Sequence, residues 1–208
     1  MLAQQQNKPV SIQQWMTAKL SYEPGLKSVL HVGCGAPRPD KLAIVFHGDE
    51  WTEVRLDIDP EARPDIVGDI RDMNTVPDNA YDAVWSSHNI EHLFAHEVPL
   101  AMAEFHRVLK PGGYLLLSCP DIQGVCAAIA DGKLDEPLYQ SPAGPIMALD
   151  IIYGYGKAVA RGATYMQHKT GFTRKSMVAA MALAGFEEPD AIPGKNFALW
   201  AAGRKHHI

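Results

Sequence analysis

Nowhere in the 208 residues do about 18 apolar side chains run without interruption, the length a helix needs to cross a bilayer core. The opening stretch, MLAQQQNKPVSIQQWMTAKL, has no basic segment leading into an unbroken apolar one, so neither secretion nor membrane insertion is signalled. Cysteine is scarce: Cys34, Cys119 and Cys126 are odd in number and match no zinc or disulfide spacing, which fits a reducing cytoplasm. No run of Lys or Arg forms a phosphate-binding footprint, and 19 basic against 24 acidic residues leave a formal charge of -5. A nucleic-acid partner is thereby demoted. Internal repeats and low-complexity tracts are absent as well, which removes solenoids and arrays. What the chain does have is 47% hydrophobic and 21% charged residues, material for a single folded domain over residues 1–208.

Short apolar runs and the punctuation between them give the organisation. Residues 11–20 read as a helix with Ile12, Trp15 and Met16 on its apolar side. Ser28 to Val32 reads as a first strand that stops at Gly33-Cys34-Gly35. Residues 53–58, 65–69 and 81–86 read as the next three strands. Val98, Ala101, Met102, Phe105, Val108 and Leu109 then share one helical face, Lys110-Pro111-Gly112-Gly113 forces a turn, and Tyr114 to Ser118 reads as a buried fifth strand. Strands alternating with helices imply parallel crossovers, hence an α/β, doubly wound, Rossmann-like sheet. The alternation breaks over residues 122–170, which read as an inserted cap or lid rich in Pro and Gly, with an apolar run from Ile146 to Tyr155 that should pack on the domain or on another subunit, as in a homodimer. Thr173 is placed to cap a helix over residues 174–184, with Gly185 as its stop, and two last runs close the sheet as an antiparallel hairpin.

In an open parallel sheet, ligands bind beyond the carboxyl ends of the strands, which is where this sequence concentrates glycine and aspartate. The Gly33-Cys34-Gly35 turn lets main-chain N–H groups approach a ligand. Some 20 residues on, Asp57 ends the second strand, where an ionised carboxylate can accept both hydroxyls of a ribose. The pair indicates an adenosine-type ligand. A nicotinamide dinucleotide would suit it too, but Gly35 is followed by Ala36-Pro37-Arg38-Pro39, with no third glycine to complete a pyrophosphate cradle. S-adenosylmethionine, which carries no phosphate, needs none.

The segments VLHVGCG, VRLDIDP, PDIVGDI, YDAVWSSHNIEHL, EFHRVLKPGGYLLLSCPD and HKTGFT, in this order over residues 28–186, resemble those of class I S-adenosylmethionine-dependent methyltransferases. The similarity is greatest to a bacterial group whose first strand reads Leu-His-x-Gly-Cys-Gly. The resemblance implies the class I fold, mainly parallel with a C-terminal antiparallel hairpin strand, and S-adenosylmethionine as methyl donor with S-adenosylhomocysteine as product. It implies that Gly33, Cys34 and Gly35 line the methionyl part, that Asp57 and the adjacent Ile58 take the ribose side, that Asp69 and Ile70 lie beside the adenine, and that Ser86 lies near the sulfonium. His31 joins this set at a position where many members of the family have an acidic residue. Asp82 matches a family position but reads as the holder of a turn.

His88, His92 and His96 recur every four residues with Glu91 among them, yet no His-Glu-x-x-His order appears and no metal is expected. His88 follows the fourth strand and is placed to face the pocket. His168 precedes Thr170-Gly171-Phe172-Thr173, in a segment that related enzymes bring back over the cofactor, and is the better candidate for a catalytic or substrate-orienting base; capping the next helix is its alternative role. Tyr153 either lines the acceptor site or serves the core of the cap. The expected activity is methyl transfer to oxygen or nitrogen of a small molecule or glycan precursor. A non-catalytic cofactor-binding partner subunit is the alternative, and a nicotinamide dinucleotide-binding protein a more distant one.

Overall fold

The computed structural model describes residues 11–19, 25–38 and 40–207. In chain order the elements are α1 (Ile12–Lys19), β1 (Lys27–Val32), β2 (Trp51–Asp57), β3 (Ile66–Val67), β4 (Tyr81–Ser87), α2 (Val98–Val108) and β5 (Leu109–Pro120). There follow α3 (Ile122–Ala130), β6 (Tyr139–Ser141), β7 (Gly144–Ile146), α4 (Ala148–Tyr153), α5 (Gly156–Val159), α6 (Arg174–Leu183), β8 (Glu187–Pro193) and β9 (Ala198–Arg204). Seven strands make one sheet in the order β3-β2-β1-β4-β5-β9-β8. The first five run parallel, and β9 pairs antiparallel with both β5 and β8. This is the doubly wound sheet with a closing hairpin that the sequence implies. Leu20, at the end of the expected first helix, lies outside the described residues.

The period-two alternation of a strand divides the core into two layers. Leu30 and Val32 of β1 join Val84 of β4 and Leu115 and Leu117 of β5 on one face, covered by Met102 and Phe105 of α2 and Met177 and Met181 of α6. Val29, Ala83, Trp85, Tyr114 and Leu116 form the other face. There α1 supplies Trp15 and Met16, and the Trp15 indole donates to Asp190 Oδ2 at 3.0 Å.

Much of that second layer is aromatic where a doubly wound sheet usually carries crossover helices. Among the described residues, the β1 to β2 connection holds only a 3-10 turn, Ile44–Phe46, and the β2 to β3 connection only Pro60–Ala62. Pro37 explains part of this, because it lacks an N–H and pushes Ala36 away from helical torsions. Phe46 fills the gap, edge-on to Trp51 with centroids 4.9 Å apart and stacked on Tyr114 at 6.1 Å. Such pairs contribute about 0.5–1.5 kcal/mol each beyond the area they bury.

The turn expected at residues 110–113 is a bulge inside β5. Tyr81 pairs with Leu109 and Ala83 with Tyr114, so a step of two residues on β4 spans five on β5, and Gly112 at φ 75° absorbs the excess. Asp82 holds this bulge in place, as its turn role requires: Oδ2 accepts from the Ser28 N–H and from Lys110 Nζ, each at 2.9 Å. Within residues 122–170, Val125, Ile146, Ala148 and Ile151 make a small buried core, while Leu149 and Tyr153 of the same apolar run stay exposed. Among the described residues no helix is long and apolar enough to cross a membrane.

Candidate active site

The strand order reverses between β1 and β4, so the carboxyl ends of β1, β2 and β4 border the crevice that binds ligands in such sheets. Gly33 and Gly35 both sit at φ 61°, in the left-handed region. A Cβ on Gly33 would lie 2.4 Å from Asn89 Cγ, and one on Gly35 would lie 2.8 Å from Lys41 Nζ. Asp57 closes the turn from β2: Oδ2 accepts from the Gly35 N–H at 2.7 Å, and Oδ1 from the Asp59 N–H at 2.9 Å. A carboxylate offers about four acceptor positions, so each oxygen keeps a lone pair for a hydroxyl. Arg55 braces the turn from behind by donating to the Gly35 and Arg63 carbonyls.

The other residues expected on this side fall into place unevenly. Cys34 is buried, and burial is the main reason its thiol is pushed up to about 11, which keeps it protonated and inert. His31 is buried behind the turn with Nδ1 2.6 Å from Glu53 Oε1; burial lowers its pKa while Glu53 pulls the other way. Ile58, 65% exposed beside Asp57, leaves an apolar surface open. The pairing of Asp57 with Val67 brings Asp69 and Ile70 toward the same end of the sheet. Ile70 is buried, and the Asp69 carboxylate is engaged by Arg71, whose Nε donates to both oxygens at 3.0 Å and holds the Asp69 pKa low. Ser86 Oγ and Asn89 Nδ2 are buried without a hydrogen-bond partner among the described residues. These orphaned groups, with the two glycines that tolerate no side chain, suit a polar ligand laid across the ends of β1 and β4. Sequence reasoning missed Asn89 and Lys41, which lie on segments without a periodic pattern.

Beyond β4 the chain kinks at His88, φ 47°, into a 3-10 turn, Ile90–His92. His88 Nδ1 lies 3.2 Å from Glu91 Oε1; desolvation lowers the His88 pKa, but the Glu91 carboxylate outweighs it and the net shift is upward. Glu91 is fully buried, and apart from that ion pair neither carboxylate oxygen has a hydrogen-bond partner among the described residues. Its main-chain carbonyl accepts from the Lys169 and Thr170 N–H groups, at 2.8 and 3.2 Å, which pins the end of the inserted segment against the β4 turn.

This pinning brings His168 onto His92, ring centroids 4.9 Å apart and edge-on. His168 Nδ1 lies 2.8 Å from the Ile151 carbonyl, and His92 Nδ1 3.0 Å from the Gln167 carbonyl. A carbonyl only accepts, so both Nδ1 atoms carry the proton and the Nε2 lone pairs are left free. Burial lowers the His168 pKa, keeping the ring neutral. His168 does not cap α6; Thr173 does, with its Oγ1 accepting from the Ser176 N–H at 3.2 Å. The Tyr153 carbonyl accepts from the His168 N–H at 3.1 Å while its ring is 65% exposed. Of the four-residue histidine series, His96 instead stacks on Phe94. Two clefts, of about 510 Å³ beside Arg174 and Asp190 and about 580 Å³ beside Phe46 and Glu53, include neither Asp57 nor Ser86. Lys41 and Asn89 lie over the glycines there.

The sheet order, with the glycine turn after β1 and the aspartate ending β2, is that of the class I methyltransferase fold. Residues 30–117, from β1 through most of β5, match the family described as Methyltransferase domain. A probable methyltransferase of Aspergillus luteorubrus is 30% identical over 108 residues, covering 42% of this chain and 38% of that protein. The chain thus spans about two fifths of the length of the curated relative it matches. Among solved structures, a S-adenosylmethionine-dependent methyltransferase of Methanosarcina mazei superposes with a TM-score of 0.60 at 16% identity, over 90% of this chain and 96% of the other. A Burkholderia thailandensis 1,6-didemethyltoxoflavin-N1-methyltransferase, solved with 1,6-didemethyltoxoflavin and S-adenosylhomocysteine bound, gives 0.51 at 15% identity, over 88% and 72%. At these identities the structural likeness is one of fold.

Proposed function

We propose that this chain transfers the methyl group of S-adenosylmethionine to an oxygen or nitrogen of a small-molecule or glycan-precursor acceptor, releasing S-adenosylhomocysteine. The observation that carries the reading is the Asp57 carboxylate, held by the Gly35 and Asp59 N–H groups, one on each oxygen, with acceptor capacity left on both for two ribose hydroxyls. Around it, Ile58 covers the adenosine side, with Asp69 and Ile70 nearby. The main chain at Gly33, Cys34 and Gly35 admits the methionyl part, whose carboxylate finds donors in Lys41 Nζ and Asn89 Nδ2. His31, set by Glu53, backs this turn, and Ser86 Oγ borders the reacting end. The bound donor supplies a methyl carbon on positively charged sulfur, so collinear placement of the acceptor provides much of the catalysis, about 7 kcal/mol or more in favourable cases.

The acceptor side is built from His88, His168 and Tyr153. A neutral imidazole with a free lone pair can orient a hydroxyl or amine, or take its proton as the bond to carbon forms. A small acceptor accords with the Burkholderia thailandensis neighbour, and free Cys34, Cys119 and Cys126 accord with a reducing cytoplasm. The test is a screen of the purified chain with labelled S-adenosylmethionine against hydroxyl- and amino-bearing small molecules and nucleotide sugars. Label moving to a member of the panel supports the proposal. Cofactor binding without transfer to any of them overturns it in favour of a non-catalytic binding subunit.

A further inference from the structure

We propose that Glu91, His92 and His168 bind a divalent first-row transition-metal ion of the zinc or manganese kind at the acceptor end of the site. A carboxylate oxygen of Glu91 and a ring nitrogen from each histidine lie within 4.8 Å of one another. With metal–ligand bonds of about 2.0–2.1 Å, tetrahedral ligands stand about 3.4 Å apart, so the three groups close on an ion by side-chain movements of about an ångström.

Three features prepare these groups as ligands. Glu91 is fully buried, and its carboxylate oxygens have no hydrogen-bond partner among the described residues, only the His88 ring as an ion pair at 3.2 Å. An ionised carboxylate is costly in that state unless a cation meets it. Both histidines donate Nδ1–H to a main-chain carbonyl, Gln167 for His92 and Ile151 for His168. That arrangement fixes the ring and aims the Nε2 lone pair, as in metal-ligating histidines generally. Finally, the bonds from the Lys169 and Thr170 N–H groups to the Glu91 carbonyl join the two ligand-bearing segments directly. Two imidazoles and one carboxylate favour zinc, manganese or iron over magnesium or calcium, and three protein ligands leave positions open. The sequence offered no such set, because its regular histidine spacing pointed to His88, His92 and His96.

The inference rests on the methyltransferase reading only for its consequence. Lying just beyond β4, an ion there would hold an acceptor through oxygen, which narrows the substrate class to acceptors carrying a metal-binding hydroxyl, carboxylate or paired oxygens. The test is calorimetric titration of Zn²⁺, Mn²⁺ and, for comparison, Mg²⁺ into the chelator-treated full chain and into E91Q, H92A and H168A. S-adenosylhomocysteine binding and thermal melting are measured on each protein without metal. One Zn²⁺ or Mn²⁺ per chain, weakened more than about 100-fold in H92A and H168A, beyond the 10–100-fold typical of losing a supporting residue, is the expected result. These two variants should remain folded, melting a few degrees lower for the lost ring hydrogen bond, and keep S-adenosylhomocysteine affinity. Absence of Zn²⁺ and Mn²⁺ binding to the parent, or binding that survives in both histidine variants, overturns the metal site. Metal bound as expected by a parent that ignores S-adenosylhomocysteine would uphold the metal site and overturn the methyltransferase reading instead.

Discussion

Replacing Asp57 by alanine probes the cofactor side where the structure is most explicit. The carboxylate spends one acceptor position per oxygen on the chain, at 2.7 Å to the Gly35 N–H and 2.9 Å to the Asp59 N–H, and the proposed ribose hydroxyls would take one more on each. A hydrogen bond to a charged group contributes about 1.5–3 kcal/mol, so loss of two at the lower figure is about 3 kcal/mol, or roughly 100-fold in affinity. Retaining even one interaction through water leaves a loss of about tenfold, which sets the floor. Asp57→Asn keeps a single acceptor oxygen but turns an amide toward one of the two main-chain N–H donors, so its affinity falls between parent and alanine variant. Calorimetry with S-adenosylhomocysteine reads the effect, and circular dichroism verifies the fold. A folded Asp57→Ala protein that binds within about threefold of the parent, less than 1 kcal/mol, refutes the placement of the ribose on this residue.

The remaining expectations concern the inserted segment. His168→Ala and Tyr153→Ala should impair methyl transfer or acceptor affinity by about tenfold or more, about 1.4 kcal/mol, while leaving S-adenosylhomocysteine affinity unchanged; an equal loss of both would place these residues on the cofactor. Gly154 has φ 95°, and a Cβ there would stand 2.0 Å from the Met166 carbonyl oxygen. Gly154→Ala should therefore lower Tm by at least about 3 °C through backbone strain and displacement of the 166–168 strap. Gly162→Ala, with φ 96° but open space around it, carries strain alone and should cost less. Equal melting of the two variants would contradict the tight approach at Gly154.

What could be read from the sequence was whatever depends on neighbours along the chain. The strand ending at Gly33, Asp57 at the tip of the next strand, the Thr173 cap and the final hairpin all announce themselves through local pattern and turn chemistry, and the structure has each. The missing crossover helix between β1 and β2 was half visible in Pro37, but its replacement by Phe46, Trp51 and Tyr114 depends on contacts between distant strands. The turn at residues 110–113 was read correctly as a turn and wrongly as a break, since only pairing with β4 reveals that β5 runs through it. At the site, Glu91 and His92 stood in view as parts of a histidine series. Their partner, His168, arrives through main-chain bonds between two remote segments, which no periodicity encodes. Lys41 and Asn89 lie over the glycine turn for the same reason.

The central claim is that the crevice over β1, β2 and β4 is a site for S-adenosylmethionine, and the most direct measurement is competitive calorimetry of the full chain with S-adenosylmethionine, S-adenosylhomocysteine and NAD. The account predicts saturable one-to-one binding of both sulfur nucleosides and no binding of NAD, because the turn after Gly35 runs into Pro37 and holds no third glycine for a pyrophosphate. Tight binding of NAD with no response to either sulfur nucleoside would contradict it.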